Sequence, residues 1–174
     1  MFGSDSSWQP RFGYSTNAFR FFPIERSLEM IAGAGFEGVE LLADFPHLFP
    51  PDWLRPEAAS RIERLRAQIK RLGLTVTNVN GFSTYGIEDD AHPSWIDPDP
   101  SARAARLEYT IGCLRLAAQI GAPTITAMPG GRFPPLEPDP RRVPDDPTRE
   151  QAWTWFLQGL REALPVAKEV GVTL

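Results

Sequence analysis

Polar side chains recur on one face of four short β-rich stretches of this chain. Side chains alternate along a strand, so each stretch sorts into two sets. "RFGYSTN" separates Gly13, Ser15 and Asn17 from Phe12, Tyr14 and Thr16. In "GVELL", Glu40 stands opposite Val39 and Leu41. "TVTNVN" sets Val76, Asn78 and Asn80 against Thr75, Thr77 and Val79, and "TITAM" sets Thr124, Thr126 and Met128 against Ile125 and Ala127. With the more apolar sets turned toward a helix layer, Ser15, Asn17, Glu40, Asn78, Asn80, Thr124 and Thr126 face a common interior. A carboxylate in mid-strand is expensive to bury without partners. Hydroxyls, carboxamides and one carboxylate sharing one space therefore predict a polar pocket rather than a dry core. Two blander arrangements use the same residues: the polar groups hydrogen-bond one another in the lower layers of a barrel, or Glu40 pairs structurally with an arginine. No residue of this set is assigned as a catalytic base.

The elements that must carry these side chains follow one design, a helix, a glycine and a short β-rich run. It appears in "SLEMIAGAGFEGVELLA", "IERLRAQIKRLGLTVTNVN", "IGCLRLAAQIGAPTITAM" and "LPVAKEVGVTL", with Gly35, Gly73, Gly121 and Gly171 at the helix ends. Glycine suits the positive φ that commonly ends a helix. Apolar stripes at helical spacing are read at Ile62, Leu65, Ile69 and Leu72, and at Leu107, Ile111, Leu114 and Ala118. Helix starts are marked by Pro23, Pro56, Pro100 with Ser101, and Asp146-Pro147-Thr148; Pro165 is expected to interrupt and bend the last helix. "RFGYSTN" is a further strand ahead of the first helix, which makes the order β-α-β-α-β-α-β-α-β.

Crossovers of this length imply parallel strands joined with the right hand. Helix-to-strand links are tight, whereas strand-to-helix links are long, aromatic and rich in the chain's 18 prolines. That asymmetry is expected where function sits at the carboxyl ends of the strands of a (β/α)₈ barrel. A doubly wound sheet also places ligands there, but "RFGYSTNAFR" lacks a glycine-rich phosphate fingerprint.

The same loops hold the two histidines. His47 and His92 lie among prolines and aromatics on the mouth side; two histidines alone make no metal site, and a solvated or structural role is expected of each. His92 is a candidate to touch substrate, and Trp53, Trp95, Phe82 and Phe133 are candidate pocket walls. The one cysteine, Cys113, cannot form an internal disulfide and is expected as a small buried side chain of an amphipathic helix.

Length and composition bound the rest. The 174 residues are 42% hydrophobic and 23% charged, which fits one globular domain over 1–174, with 1–10 as a flexible extension. A net charge of −4 argues against a nucleic-acid partner. No apolar run approaches the roughly 20 residues of a membrane span, and "MFGSDSSWQP" carries no signal-peptide pattern. A cytoplasmic location away from membranes is expected.

"GFEGVELLAD", "LGLTVTNVNGF", "DPDPSARAARLEYTIGCLRLAAQIGAPTITAMPGG" and "AKEVGVTL" together resemble the xylose-isomerase-like TIM-barrel superfamily. That group includes sugar-phosphate isomerases and epimerases, hydroxypyruvate isomerase and type IV endonuclease. The resemblance implies an α/β fold, the (β/α)₈ barrel, of which this chain supplies about the first four βα units and the start of strand five. It also implies a divalent metal (Mn, Mg, Co or Zn) at the C-terminal mouth, held by Glu, Asp, His and Glu from strands five to eight. That metal polarises a carbonyl and hydroxyl of a carbohydrate substrate while two carboxylates move a proton at the adjacent carbon through an enediol-like intermediate. The first ligand falls just past "GVTL", so no metal is expected to be fully ligated by these residues, and the chain alone is expected to be inactive.

Within the chain, the substrate-side contacts expected from this reading are Asn17, Glu40, Asn80 and the Met128–Gly131 turn with Met128, Gly130 and Gly131. Type IV endonucleases add zinc-binding histidines where this chain has Asn80-Gly81 and Met128-Pro129-Gly130, which weakens a hydrolase reading. The alternative is a half-barrel binding or assembly module, completed by a second copy or by a separate C-terminal half.

Overall fold

A computed structural model describes residues 10–82, 92–131 and 147–174. Four parallel strands lie in sequence order, β1 (Gly13–Ser15), β2 (Gly38–Leu42), β3 (Thr75–Asn80) and β4 (Ile125–Thr126). α1 (Ile24–Gly33) links β1 to β2, and α2 (Pro50–Trp53) and α3 (Ala59–Arg71) link β2 to β3. α4 (Pro100–Ile120) links β3 to β4, and α5 (Arg149–Val170) follows β4. Thr173 then pairs in parallel with Thr124, so a fifth strand position begins beside β4. The α/β fold with consecutive parallel strands is that of a partial (β/α)₈ barrel. Among the described residues no helix is long and apolar enough to cross a membrane.

Local chemistry accounts for the helix boundaries. Thr148 caps α5 with a capping box, its side chain accepting from the Gln151 amide while Gln151 returns to the Thr148 amide. Asp99 caps α4, with Pro100 in the first turn where no N–H is needed. Both helices end on a left-handed glycine, Gly121 at φ 84° and Gly171 at φ 72°. The mixed proline-aromatic loop after β2 adds the four-residue α2, which the sequence pattern did not mark.

The core lies between the sheet and the helices. Val39, Leu41, Val79 and Ile125 meet Ile24, Leu28 and Ile31 of α1, Ile62, Leu65 and Ile69 of α3, and Leu114, Ala117 and Ile120 of α4. Each such fully buried aliphatic side chain contributes about 1.5–3 kcal/mol. With that burial on the outer face, the opposite face of the sheet is left to polar groups.

Four expectations change. β1 is shorter than "RFGYSTN", because Thr16 and Asn17 turn into a 3₁₀ helix, Thr16–Phe19, capped by Ser15. Alternation in β3 is broken: Val76 and Val79, three residues apart, both enter the core, while Thr75 and Thr77 are exposed. The cause is a bulge, since Val39 pairs with Val76 but Glu40 pairs with Asn78, leaving Thr77 as the extra residue. In α4 the stripe of Leu107, Ile111 and Ala118 is not the buried face. Arg106, Tyr109, Cys113, Ala117 and Ile120 are buried instead, and Ala118 is exposed. Finally, α5 runs unbroken through Pro165, whose exposed position lets water take the carbonyl that loses its helical partner.

The loop before α4 folds back over the helix layer. The Trp95 amide donates to the Pro129 carbonyl at 2.8 Å, and its indole lies against Gly159 in the middle of α5. A Cβ at Gly159 would sit 2.7 Å from Trp95 Cε3. Gly159→Ala gains roughly 1 kcal/mol of helix propensity, but overpacking a buried ring costs typically about 1–3 kcal/mol. The variant is expected to unfold at lower urea than the parent; a raised midpoint would show that Trp95 is not seated on this glycine.

Candidate functional site

Glu40 occupies the middle of β2, flanked in register by Ser15 on one side and Asn78 on the other. Its carboxylate takes three neutral donors. Ser15 Oγ donates to Oε1 at 2.7 Å, Asn80 Nδ2 to Oε1 at 3.0 Å, and Asn78 Nδ2 to Oε2 at 2.8 Å. The second hydrogen of Asn78 Nδ2 reaches Thr126 Oγ1 at 2.9 Å, and Asn78 Oδ1 accepts from Thr124 Oγ1 at 2.8 Å. Asn80 Oδ1 takes the Phe82 amide at 3.3 Å, which orients its amide nitrogen toward Glu40. The interior polar face read from the sequence therefore exists across all four strands, and its members hydrogen-bond one another. No arginine reaches Glu40 among the described residues.

Counting hydrogens shows what this network leaves open. Oε1 accepts two bonds and Oε2 one, so Oε2 has an acceptor position to spare. Asn80 Nδ2 has a second hydrogen, and Thr126 Oγ1 accepts from Asn78 while its own proton stays available. Asn80 and Thr126 end their strands, in register with each other. One acceptor beside two donors at the carboxyl ends of the strands matches adjacent hydroxyl groups of a ligand.

The other expected contacts lie around this face. Asn17 is half-buried in the 3₁₀ turn, its amide donating to Ser15 Oγ at 3.2 Å. Met128 is 50% exposed just beyond β4. Gly130 and Gly131 have φ of 68° and 61°, and a Cβ at Gly131 would approach Ser94 Oγ to 3.0 Å. Phe82 follows β3, and Phe133 lies outside the described residues. The two tryptophans do not wall the polar face. Trp53 belongs to the hydrophobic core under the Arg61 guanidinium, and Trp95 rests on α5, because both loops fold outward over helices.

His47 is a structural knot. Its ring is buried, with Nε2 3.0 Å from the Phe22 carbonyl and Nδ1 3.2 Å from Thr16 Oγ1. A carbonyl only accepts, so Nε2 carries the proton and Nδ1 accepts from Thr16, whose oxygen in turn takes the Leu42 amide at 2.8 Å. Burial lowers the His47 pKa from its ordinary 6.5, and the Phe22 carbonyl opposes that shift. His92 is exposed and pairs with Asp97 at 3.1 Å. Among the described residues no three of His, Cys, Asp and Glu converge on a point. Glu40, saturated by neutral donors on most of its lone pairs, is a lone carboxylate. These residues do not fit a divalent metal, and no step through one is derived from them.

Arg106 was hidden by its charge. It is 1% exposed on the sheet side of α4, and its Nη2 donates to the carbonyls of Gly81 at 3.0 Å, Phe82 at 2.7 Å and Met128 at 3.2 Å. Tyr109 Oη donates to the Ala43 carbonyl beyond β2. Burial lowers the Arg106 pKa and raises those of Tyr109 and Cys113, the thiol being pushed up to about 12. Cys113 is therefore an unreactive thiol at neutral pH. A cavity of about 870 Å³ lies elsewhere, between α2, α4 and α5, lined among others by Pro50, Leu54, Ile111 and Trp155. It does not include the polar face.

A family model described as the xylose isomerase-like TIM barrel matches residues 28–174. The chain belongs to that family. Solved structures similar to it include a D-psicose 3-epimerase from Clostridium cellulolyticum H10, at 19% identity and a TM-score of 0.64 over 92% of this chain and 49% of that one. A D-tagatose 3-epimerase-like protein matches at 18% identity and a TM-score of 0.66, over 94% and 51%. An AP endonuclease of family 2 from Brucella melitensis matches at 20% identity and a TM-score of 0.62, over 95% and 54%. The chain thus spans about half the length of these structures. No match was found among curated proteins.

Two outcomes follow from this geometry. Glu40→Gln places an NH₂ group against at least one of the three donors, and hydrogen bonds to a charged group are worth about 1.5–3 kcal/mol. Urea unfolding of Glu40→Gln, Asn78→Ala and the double variant is expected to show a coupling of about 1 kcal/mol or more; additive losses would contradict the shared network. For His47, the unfolded chain binds the extra proton between the lowered folded-state pKa and 6.5. Stability is then complete above that window and falls as pH drops through it. The loss between pH 7.5 and 5.5 is expected to be smaller in His47→Gln, and identical pH slopes would refute it.

Proposed function

We propose that these four βα units form the substrate-side wall of a carbohydrate isomerase or epimerase site, within a barrel that contains four further units. The reading is supported chiefly by the Glu40 network, which leaves one acceptor on mid-strand Glu40 and two donors at the ends of β3 and β4. Membership of the xylose isomerase-like family agrees with it. Glu40 orients Asn78 and Asn80; Asn80 and Thr126 address the hydroxyls of a sugar; the Met128–Gly131 turn and Asn17 border the opening. A carboxylate with no cation beside it among the described residues favours neutral hydroxyls on this wall, so any phosphate of a sugar phosphate is assigned to other units. The metal-binding Glu, Asp, His and Glu that the family resemblance implies belong to strands five to eight, and would supply the Lewis acid for proton transfer next to the carbonyl.

A second reading, a half-barrel that works as an assembly module, is favoured by one observation. Phe12, just before β1, is 66% exposed and Tyr14 within it 44%, and β1 is an outer strand of the sheet. Such an edge is a ready surface for another strand and helix, whether from a second copy or a complementary half. A nuclease reading has less support, given the net charge of −4.

Two measurements test the leading reading. The isolated 174 residues, supplied with Mn²⁺ or Mg²⁺, are expected to give no isomerase or epimerase turnover; robust turnover would mean that the chemistry resides here. Titration with a neutral ketose, followed by NMR, is expected to move the Asn80 side-chain and Thr126 amide signals at millimolar concentration. Glu40→Ala should abolish that response. Signals that stay fixed in the parent would sink the assignment of this face to substrate.

A further inference from the structure

The buried cation of α4 has no place in the polar network, yet it touches both strands that present it. Nη2 of Arg106 serves three carbonyls, Gly81 and Phe82 directly after β3 and Met128 two residues after β4. These carbonyls lie just past the last bond between β3 and β4, the Gly81 amide to the Thr126 carbonyl at 2.9 Å, so the sheet itself does not satisfy them. One turn along α4, Tyr109 Oη reaches Ala43 after β2. Three consecutive strand ends are thus held from a single helix, and the segments held include the flanks of Asn80 and the Met128–Gly131 turn.

We propose that Arg106 is a positioning residue that fixes the spacing of the β3 and β4 ends and thereby places the Asn80 amide and the Met128–Gly131 turn at the mouth. The way the guanidinium is used supports this. An Nη group has two hydrogens, shared here among three acceptors, while the Nε hydrogen of the same side chain is buried without a partner among the described residues. Among the described residues the guanidinium donates through Nη2 rather than through its planar fork, as a concentrated positive donor at one point. Two consequences separate a brace from mere filling of the core. A lysine ammonium, with three hydrogens for three carbonyls and no Nε to strand, should substitute for the arginine. A methionine of similar length, which fills the space without donating, should not.

The test is backbone hydrogen exchange on the full 174-residue chain with Arg106→Lys and Arg106→Met. Arg106→Met is expected to speed exchange in residues 79–82 and 125–131 about tenfold or more relative to β2, since bonds to a charged donor are lost there. Arg106→Lys should restore both segments to near the parent rates. Uniform acceleration across the sheet in Arg106→Met, or a lysine variant that behaves like methionine, overturns the brace. Should Arg106→Met not fold, the parent decides: Arg106 Nη2 hydrogens resolved and slow to exchange in ¹⁵N spectra support the clamp, and a freely rotating, rapidly exchanging guanidinium refutes it. The ligand consequence rests on the carbohydrate reading above. Arg106→Met should weaken neutral-ketose binding at least tenfold and Arg106→Lys should not. Intact local protection with unchanged ketose affinity in Arg106→Met counts against Arg106. Protection lost as expected, in a parent that binds no ketose, supports the brace and counts against the carbohydrate reading instead.

Discussion

A carboxylate in the middle of a central parallel strand, with no cation beside it among the described residues, constrains everything around it. Glu40 is tolerated because three neighbouring side chains donate to it, and each comes from a strand held in a particular register. Ser15 lies opposite on β1. Asn78 and Asn80 both reach it from β3, while the bulge at Thr77 keeps Val76 in the hydrophobic core below. Without the bulge, strict alternation would place Val76 and Asn78 on the same face, turning either Val76 toward the polar face or Asn78 toward the core. This one anion thus accounts for the composition of the interior face and for the irregularity of its neighbour.

The two faces of the sheet do different work. Aliphatic side chains of β2, β3 and β4 bury against α1, α3 and α4 and supply the stability. The polar side makes hydrogen bonds whose net value is modest, but whose directions are set. Ordering the strand ends falls to the helix side: Arg106 and Tyr109 of α4 reach around to the carbonyls beyond β2, β3 and β4. His47 ties the 3₁₀ turn after β1 to the loop after β2 through Thr16 and Phe22. The loop histidine and loop tryptophan are thereby spent on holding the loops in place rather than on lining the polar face.

Much of this was legible from residue order. The glycine after each helix, the capping residues at Asp99 and Thr148, and the alternation in "GVELL" are local signals governed by backbone sterics and short-range hydrogen bonds. The polar face at Ser15, Glu40, Asn80 and Thr126 followed from strand parity alone. Where a pattern was misread, a residue was being judged without its partner. Arg106 marks a helix face as polar until three carbonyls are found around it, and this rotated the expected stripe of α4 toward Leu107 and Ile111.

By itself, the sequence determined the alternation of strands and helices, the family, and most of the side chains that share the interior face, because those depend on periodicity and on residues close in the chain. The tertiary structure decided the bulge in β3, the burial of Arg106 and His47, and the turning of Trp53 and Trp95 away from the polar face. Each of these rests on hydrogen bonds or packing between residues brought together only when the strands pair and the loops close over the helices, and such partners leave no trace in local spacing.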